Sequence, residues 1–170
     1  MTVEPWQSNR MPTGTGAVLS DNGLYRYRLW RNWSPRPHMV WIMLNPSTAD
    51  AELDDPTIRR CISFAKREAC GGIEVINLYA LRATKPAHLL DVPDPEGPEN
   101  LDHWYGVLLN HQGPIVAAWG AWPSAHQPPL AGSTARYMVE RRHWLCLGRT
   151  KHGDPRHPLY VKGDTPLVAL

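Results

Sequence analysis

The sequence predicts one α/β domain, a three-layer sandwich around a central, mainly parallel four-stranded sheet with an additional N-terminal edge strand. Two observations support this fold class. Short, continuous apolar runs, typical of strands buried on both faces, alternate with segments of helical spacing. The length of 170 residues fits a single domain, and no motif recurs at a fixed period, which argues against a solenoid.

The N-terminal part is expected to contribute an arm and the edge strand. Residues 1–20 are polar and without period, so we expect a mobile arm ahead of one domain over residues 21–170. Residues 24–30 (LYRYRLW) alternate apolar residues with Arg and predict a half-exposed strand at an edge of the sheet. Residues 39–44 (MVWIML) predict the first fully buried strand.

The first helix has clear start and stop signals. Asp55 is followed by Pro56, which is typical of an N-cap and the first helical position. Gly71 and Gly72 are expected to end this helix. The remaining elements alternate in the same way, and we expect strands over 73–78, 115–119, 143–147 and 166–170, helices over 101–111 and 131–142, and a loop over 149–163.

The charge of the chain is unevenly distributed, although its formal net value is only +2. Residues 91–102 hold five acidic residues and no Lys or Arg, whereas residues 136–162 are mainly basic. Such a basic segment suits contact with DNA phosphates, but it also fits an ordinary solvated surface. The sequence has neither a secretory signal nor an apolar run of about 18 residues, so we expect a cytoplasmic monomer without a membrane partner.

No cofactor or metal is expected. The three cysteines form no C-x-x-C pair and are expected to be reduced thiols, and four well-spaced thiolates for an iron–sulfur cluster are lacking. The acidic cluster that ends at Asp55 does not have the spacing of a calcium loop. The residues concerned are Cys61, Cys70, Cys146, Asp50, Glu52, Asp54 and Asp55.

Polar residues follow three of the predicted strands. They are Asn45-Pro46-Ser47, Asn77 with Tyr79, and the loop that contains His157. Ligands of open α/β sheets bind beyond the carboxyl ends of the strands, so we expect these segments to converge on one site. Each motif also has an ordinary interpretation, since an Asn-Pro turn is common loop chemistry and a lone loop histidine is usually solvated.

The chemistry of these side chains suggests separate roles. The carboxamide of Asn45 can hold a water by hydrogen bonds but cannot take its proton, so Asp50 or Asp54 is a candidate general base. A buried Asn77 needs partners, because an unsatisfied amide costs about 1–3 kcal/mol. It can either cap a loop or bind the edge of a base. A neutral His157 can donate a hydrogen bond to an oxygen that gains negative charge.

The order of these motifs resembles the uracil-DNA glycosylase superfamily. The wider pattern is also similar to a bacterial and phage family known only as a domain of unknown function. The similarity covers roughly residues 39–162. The segments in question are Leu44-Asn45-Pro46, Val75-Ile76-Asn77, Ala118-Trp119-Gly120 and His157-Pro158-Leu159-Tyr160, in that order.

This resemblance implies a monofunctional DNA glycosylase that flips a pyrimidine out of DNA and leaves an abasic site. Asn45 would position the attacking water, His157 would stabilise the leaving base, and Asp50 could assist as the base. The pocket would be formed by Asn77, Pro46, Ser47, Tyr79 and Trp119, and the DNA would be contacted by Arg149, Lys151, Arg156, Leu159 and Tyr160.

The chain also departs from the superfamily pattern. Leu44 replaces the usual Gly, and Leu159-Tyr160 replaces Ser-Pro. Asn45 in place of Asp resembles the mismatch-specific branch, which depends on a good leaving group. We therefore expect a modified pyrimidine, such as glucosylated hydroxymethylcytosine of phage DNA, rather than plain uracil, and a role in antiviral defence or DNA repair. The alternatives are a nucleoside or nucleotide N-glycosidic hydrolase and a non-catalytic DNA-binding module.

Overall fold

The computed structural model describes residues 13–109, 111–121 and 143–170. The predicted helix over 131–142 and the first 12 residues of the predicted arm lie outside this part of the chain. The described strands are β1 (Thr15–Leu19), β2 (Arg26–Asn32), β3 (Met39–Met43), β4 (Gly72–Asn77), β5 (Ile115–Ala117), β6 (Leu145–Cys146) and β7 (Val168–Ala169). The helices are α1 (Pro56–Arg67) and α2 (Asn100–Leu108), with 3-10 helices at Pro86–Leu90 and Pro158–Tyr160.

Within the described residues, the strands form one mixed sheet of seven, in the order β1-β2-β4-β3-β5-β6-β7. The α/β class is confirmed, but the predicted count of four strands is wrong. Strands β4, β3, β5 and β6 pair in parallel, whereas β1, β2 and β7 are added at the two sides by antiparallel pairing. The segments of β2 and β7 were predicted as strands, whereas β1 lies in the segment that was expected to be an arm.

The predicted edge strand is an interior strand. β2 lies between β1 and β4, and its arginines are buried because each one finds acceptors. Arg28 donates from Nε to Glu74 Oε1 over 2.7 Å, and Arg31 donates from Nε to Asp54 Oδ1 over 2.8 Å. The edge position belongs to β1, so the prediction of a mobile arm is wrong for residues 15–19.

A β-bulge interrupts the ladder between β1 and β2. Val18 pairs with Arg28 and Leu19 pairs with Arg26, which leaves Tyr27 as the extra residue. A bulge changes the face to which the following side chains point. The Tyr27 ring stacks on His103 of α2 at a centroid distance of 4.8 Å, while Arg26 Nη1 donates to the Ala49 carbonyl over 2.7 Å.

The first helix begins as the sequence predicts but ends earlier. Asp55 Oδ1 accepts the Ile58 N–H over 2.8 Å, and Pro56 occupies the first turn. At the other end, Ala69 adopts a left-handed φ of 57°, and its N–H and that of Cys70 bond back to the carbonyls of Lys66 and Ala65. This is a Schellman motif with Ala in the place usually taken by Gly. The predicted stop at Gly71-Gly72 is wrong, since Gly72 already belongs to β4.

Two apolar clusters cover opposite faces of the sheet, in agreement with the side-chain alternation of the central strands. The first packs α1, through Ile58 and Phe64, against Trp41 of β3. The second packs α2, through Trp104, against Ile42. The three cysteines are buried and form no disulfide. No helix in the described part of the chain is long and apolar enough to cross a membrane.

We expect Ala69→Gly to raise the free energy of unfolding by on the order of 1 kcal/mol. The left-handed conformation strains an alanine but not a glycine, and this gain exceeds the extra backbone entropy of the unfolded state. The measurement is a urea unfolding curve. Ser63→Gly, at an exposed position inside α1, is the matched control and should lower stability. Equal destabilisation by both changes would contradict the assigned strain.

We also expect the protein to lose stability as the pH falls from about 6.5 to about 4. Burial lowers the pKa of His103 to about 4, so in this window the unfolded chain binds a proton that the folded chain does not. The free energy of unfolding should therefore fall by on the order of 1–3 kcal/mol for this residue. His103→Phe should flatten the dependence measured by urea unfolding at several pH values. An unchanged slope would show that the pKa of His103 is the same in the folded and the unfolded protein.

Candidate functional site

A cavity of about 360 Å³ lies beyond the carboxyl ends of β3, β4 and β5. Parallel strands end at the same edge of a sheet, and this edge is where open α/β folds bind ligands. The cavity brings together most of the residues that the sequence predicted for the site, which are Asn45, Ser47, Asn77, Trp119, His157, Leu159 and Tyr160.

Asn77 presents an unsatisfied amide to the cavity. Its side chain is 1 % exposed, and neither Nδ2 nor Oδ1 has a hydrogen-bond partner among the described residues. Its backbone carbonyl, in contrast, accepts from Asn100 Nδ2 over 3.0 Å and from Trp104 Nε1 over 2.9 Å. The end of β4 is thus held firmly from the α2 side, while the amide has one donor and one acceptor group left for a ligand.

Asn45 is occupied with the structure of its own loop. Its Nδ2 donates to the Pro46 carbonyl over 3.0 Å and to the Ala83 carbonyl over 2.7 Å. Both amide protons are therefore used, and Oδ1 is left as an acceptor. Asn45 can position a water but cannot activate it, and it also ties the loop after β3 to the loop after β4. The buried Pro46 contributes its carbonyl to this tie.

His157 is a neutral hydrogen-bond donor at neutral pH. Burial lowers its pKa to about 4, although the carboxylate of Asp55 opposes this shift. Its Nδ1 accepts the Leu159 N–H over 3.2 Å, which assigns the single proton to Nε2. The imidazole can thus donate a hydrogen bond from Nε2 without carrying a positive charge.

Two contacts fix the position of His157. Gly120 has a φ of +77°, and a Cβ at that residue would lie 3.2 Å from the Cβ of His157. The Trp119-Gly120 pair therefore lets the end of β5 approach the histidine closely, and the Gly120 N–H is held by the Pro155 carbonyl over 2.9 Å. From α1, Arg60 donates to the carbonyls of Pro158 and Val161.

Two apolar side chains stand at the mouth of the cavity. Leu159 is 40 % exposed and Tyr160 is 84 % exposed, although both also line the cavity. The 3-10 helix Pro158–Tyr160 places them directly after His157. Exposed aromatic and aliphatic groups at a cavity rim are suited to contact with a stacked or flat ligand surface.

Sequence reasoning missed two charged residues of the cavity wall, Arg26 and Asp55. Arg26 is 3 % exposed, and its Nε has no partner among the described residues. Burial lowers the pKa of Arg26 to about 10, and the nearby carboxylate of Asp55 opposes that shift. Arg26 was missed because it lies in a strand that was expected to be half exposed. Asp55 was missed because its predicted role as a helix cap gave no reason to expect it on the cavity wall as well.

Some predicted site residues lie elsewhere. Asp50 does not line the cavity, since its Oδ1 accepts the N–H groups of Glu52 and Leu53, each over 2.9 Å, in a local turn. These backbone hydrogen bonds lower its pKa. Tyr79 is buried in the second apolar cluster rather than in the cavity. The predicted DNA-contacting cations are exposed on the loop before His157 and do not line the cavity; they are Arg149, Lys151 and Arg156.

Among the residues that the structure describes, no group of three or more His, Cys, Asp and Glu side chains could hold a metal ion. The side chains that line the cavity include an unsatisfied amide, a neutral imidazole, a carboxylate and a guanidinium. Such a set can bind a polar planar ligand and can move a proton.

One family model matches the chain. It is described as a protein of unknown function (DUF1643) and covers residues 26–159, which include strands β2 to β6 and the residues that line the cavity except Tyr160. No curated protein and no solved structure matches the chain.

We expect replacements of the two cavity asparagines to affect stability in opposite ways. Asn77→Leu removes an unsatisfied buried amide and keeps its approximate shape, so the free energy of unfolding should stay constant or rise by about 1–3 kcal/mol. Asn45→Ala removes two hydrogen bonds and should lower it by about 1–2 kcal/mol. Urea unfolding measures both. A clear loss of stability in Asn77→Leu would show that its amide has a structural partner.

Proposed function

The chain belongs to the DUF1643 family, and we propose that it is a DNA glycosylase that flips a modified pyrimidine into the cavity and hydrolyses its N-glycosidic bond. The observation that supports this most strongly is the unsatisfied amide of Asn77 at the end of β4. Leaving such a group buried costs free energy unless a ligand satisfies it. A pyrimidine edge offers an adjacent donor and acceptor, as does a carboxamide.

His157 supplies the second part of the proposal. When the N-glycosidic bond breaks, the electron pair leaves with the base and negative charge grows on its carbonyl oxygen. A neutral Nε2–H in a poorly hydrated cavity can stabilise this charge, and a fixed donor of this kind contributes on the order of 10²–10³ in rate. The low pKa of His157 favours this role over that of a general acid.

The rim and the neighbouring loop provide the contacts expected for DNA. Tyr160 or Leu159 would enter the base stack and fill the gap left by the flipped nucleotide. The exposed cations Arg149, Lys151 and Arg156 would bind phosphates and make the affinity dependent on salt. We infer that DNA lies across the 3-10 helix Pro158–Tyr160 and the loop before it.

The cavity volume is compatible with a pyrimidine that carries a substituent. Its volume of about 360 Å³ is at the lower end of the range for small-molecule pockets, which usually hold ligands larger than one bare ring. We therefore propose hydroxymethylcytosine or its glucosylated form as the substrate. Removal of such bases from phage DNA would serve antiviral defence.

Arg26 favours a second candidate, an N-glycosidic hydrolase of free nucleotides. A buried guanidinium with an unpartnered Nε on the cavity wall could bind a phosphate oxygen. This enzyme would not need the exposed rim or the basic loop. Its activity should therefore respond weakly to salt and to changes of Tyr160.

The test uses duplexes that contain uracil, a thymine mismatch, hydroxymethylcytosine or glucosylated hydroxymethylcytosine, followed by alkaline cleavage at abasic sites. We expect strand breaks in a hydroxymethylcytosine-type substrate. Asn77→Leu should abolish them because it removes the contact to the base. Tyr160→Ala should reduce them at least tenfold. Leu24→Ala, at an exposed residue that does not line the cavity, is the control.

The outcomes separate the candidates. Breaks that weaken steeply between 50 and 200 mM salt would support the glycosylase, since three phosphate contacts predict a loss of affinity of roughly 40-fold over this range. Release of base from a free nucleotide, unaffected by Tyr160→Ala, would favour the nucleotide hydrolase. Binding of DNA without cleavage of any substrate would leave a non-catalytic DNA-binding module.

A further inference from the structure

We propose that Asp55, the residue that caps α1, is the general base that activates the attacking water. This inference rests on the proposed glycosylase function and assigns the step that Asn45 cannot perform. The sequence suggested Asp50 or Asp54 for this role, whereas the described structure places the carboxylate of Asp55 on the cavity.

Elimination among the neighbouring acids supports this assignment. Asp54 Oδ1 accepts from Arg31 Nε over 2.8 Å, and Asp54 is not part of the cavity wall. Asp50 closes a local turn with its Oδ1. Among the acidic residues that the structure describes, Asp55 is the one that lines the cavity, together with Asn45, Asn77 and His157.

The cap makes Asp55 a preorganised carboxylate. Its Oδ1 is held by the Ile58 N–H over 2.8 Å, which fixes the side chain, while no described residue donates to Oδ2. Pro56 has no N–H that could compete for the carboxylate. One oxygen therefore orients the group and the other can accept a proton from a water in the cavity.

Two positive groups lie near this carboxylate and favour its charged form. Arg26 lies on the same wall, and the N-terminus of α1 carries a partial positive charge. Asp55 and His157 both line the cavity, and the charge of Asp55 opposes the lowering of the pKa of His157. A negative group near the sugar also stabilises the positive charge that develops there as the base departs.

The step balances with water as the only co-reactant. The bond between C1′ and the base nitrogen breaks, and its electron pair leaves with the base, stabilised by the Nε2–H of His157. The water oxygen bonds to C1′, and one water proton passes to Asp55 Oδ2. Asp55 then releases this proton to the departing base or to solvent, which restores the carboxylate.

The test is Asp55→Asn, because Asn caps a helix as well as Asp but cannot accept the proton. We expect an unchanged melting temperature and unchanged DNA affinity, with a single-turnover excision rate lower by 10²- to 10⁴-fold. Asp54→Asn is the matched control on the neighbouring residue, and it should retain the rate within about twofold.

Comparison of binding with chemistry separates catalysis from structure. Asp55→Asn should keep the affinity for an uncleaved duplex while its excision rate falls, whereas a purely structural defect would lower both. A wild-type protein that excises a base while Asp55→Asn retains the full rate would overturn the assignment and leave the glycosylase function intact. A wild-type protein that cleaves no substrate would overturn the proposed function, and the role of Asp55 with it.

Discussion

Three guanidinium groups buried along β2 determine how the rest of the chain is arranged. A buried charge is stable only where hydrogen-bond acceptors surround it. Arg28 obtains them from Glu74, while Arg26 and Arg31 obtain them from the loop between β3 and α1, at the carbonyls of Ala49 and of Asp50. The arginines of β2 thus fix the position of the loop between β3 and α1. This loop leads directly into α1 and therefore determines where the helix begins.

The geometry of the candidate site depends on these contacts between β2 and the loop before α1. With the loop after β3 fixed, the α1 N-cap, the end of β4 and the 3-10 helix at Pro158–Tyr160 surround one cavity. The same fixed frame tolerates two groups that have no partner among the described residues, the amide of Asn77 and the Nε of Arg26. Locally unsatisfied groups in a well-supported frame are typical of sites that were shaped for a ligand rather than for stability.

Elements that depend on interactions between residues close in sequence could be predicted, whereas those that depend on distant residues could not. β3 and the start of α1 could be predicted, because an apolar run and an Asp-Pro cap are local signals. The burial of β2 could not, since Arg28 depends on Glu74, 46 positions away. The rule that ligands bind beyond the carboxyl ends of the strands correctly predicted that Asn77 and His157 share one cavity. It could not distinguish Asp55 from the neighbouring acidic residues, because their positions depend on the path of the loop between β3 and α1.

The bulge at Tyr27 determines on which face of the sheet the Arg26 side chain lies. Side chains alternate across a strand, but the extra residue lets Tyr27 and Arg28 lie on the same face of the sheet, with Arg26 on the other. Regular pairing through these same residues would send the Arg26 side chain to the opposite layer. The cavity would lose its cation although every contact residue remained encoded. Among relatives of this protein, loss of the bulge should therefore coincide with loss of one residue between Arg26 and Arg28, which keeps the arginine on the cavity side.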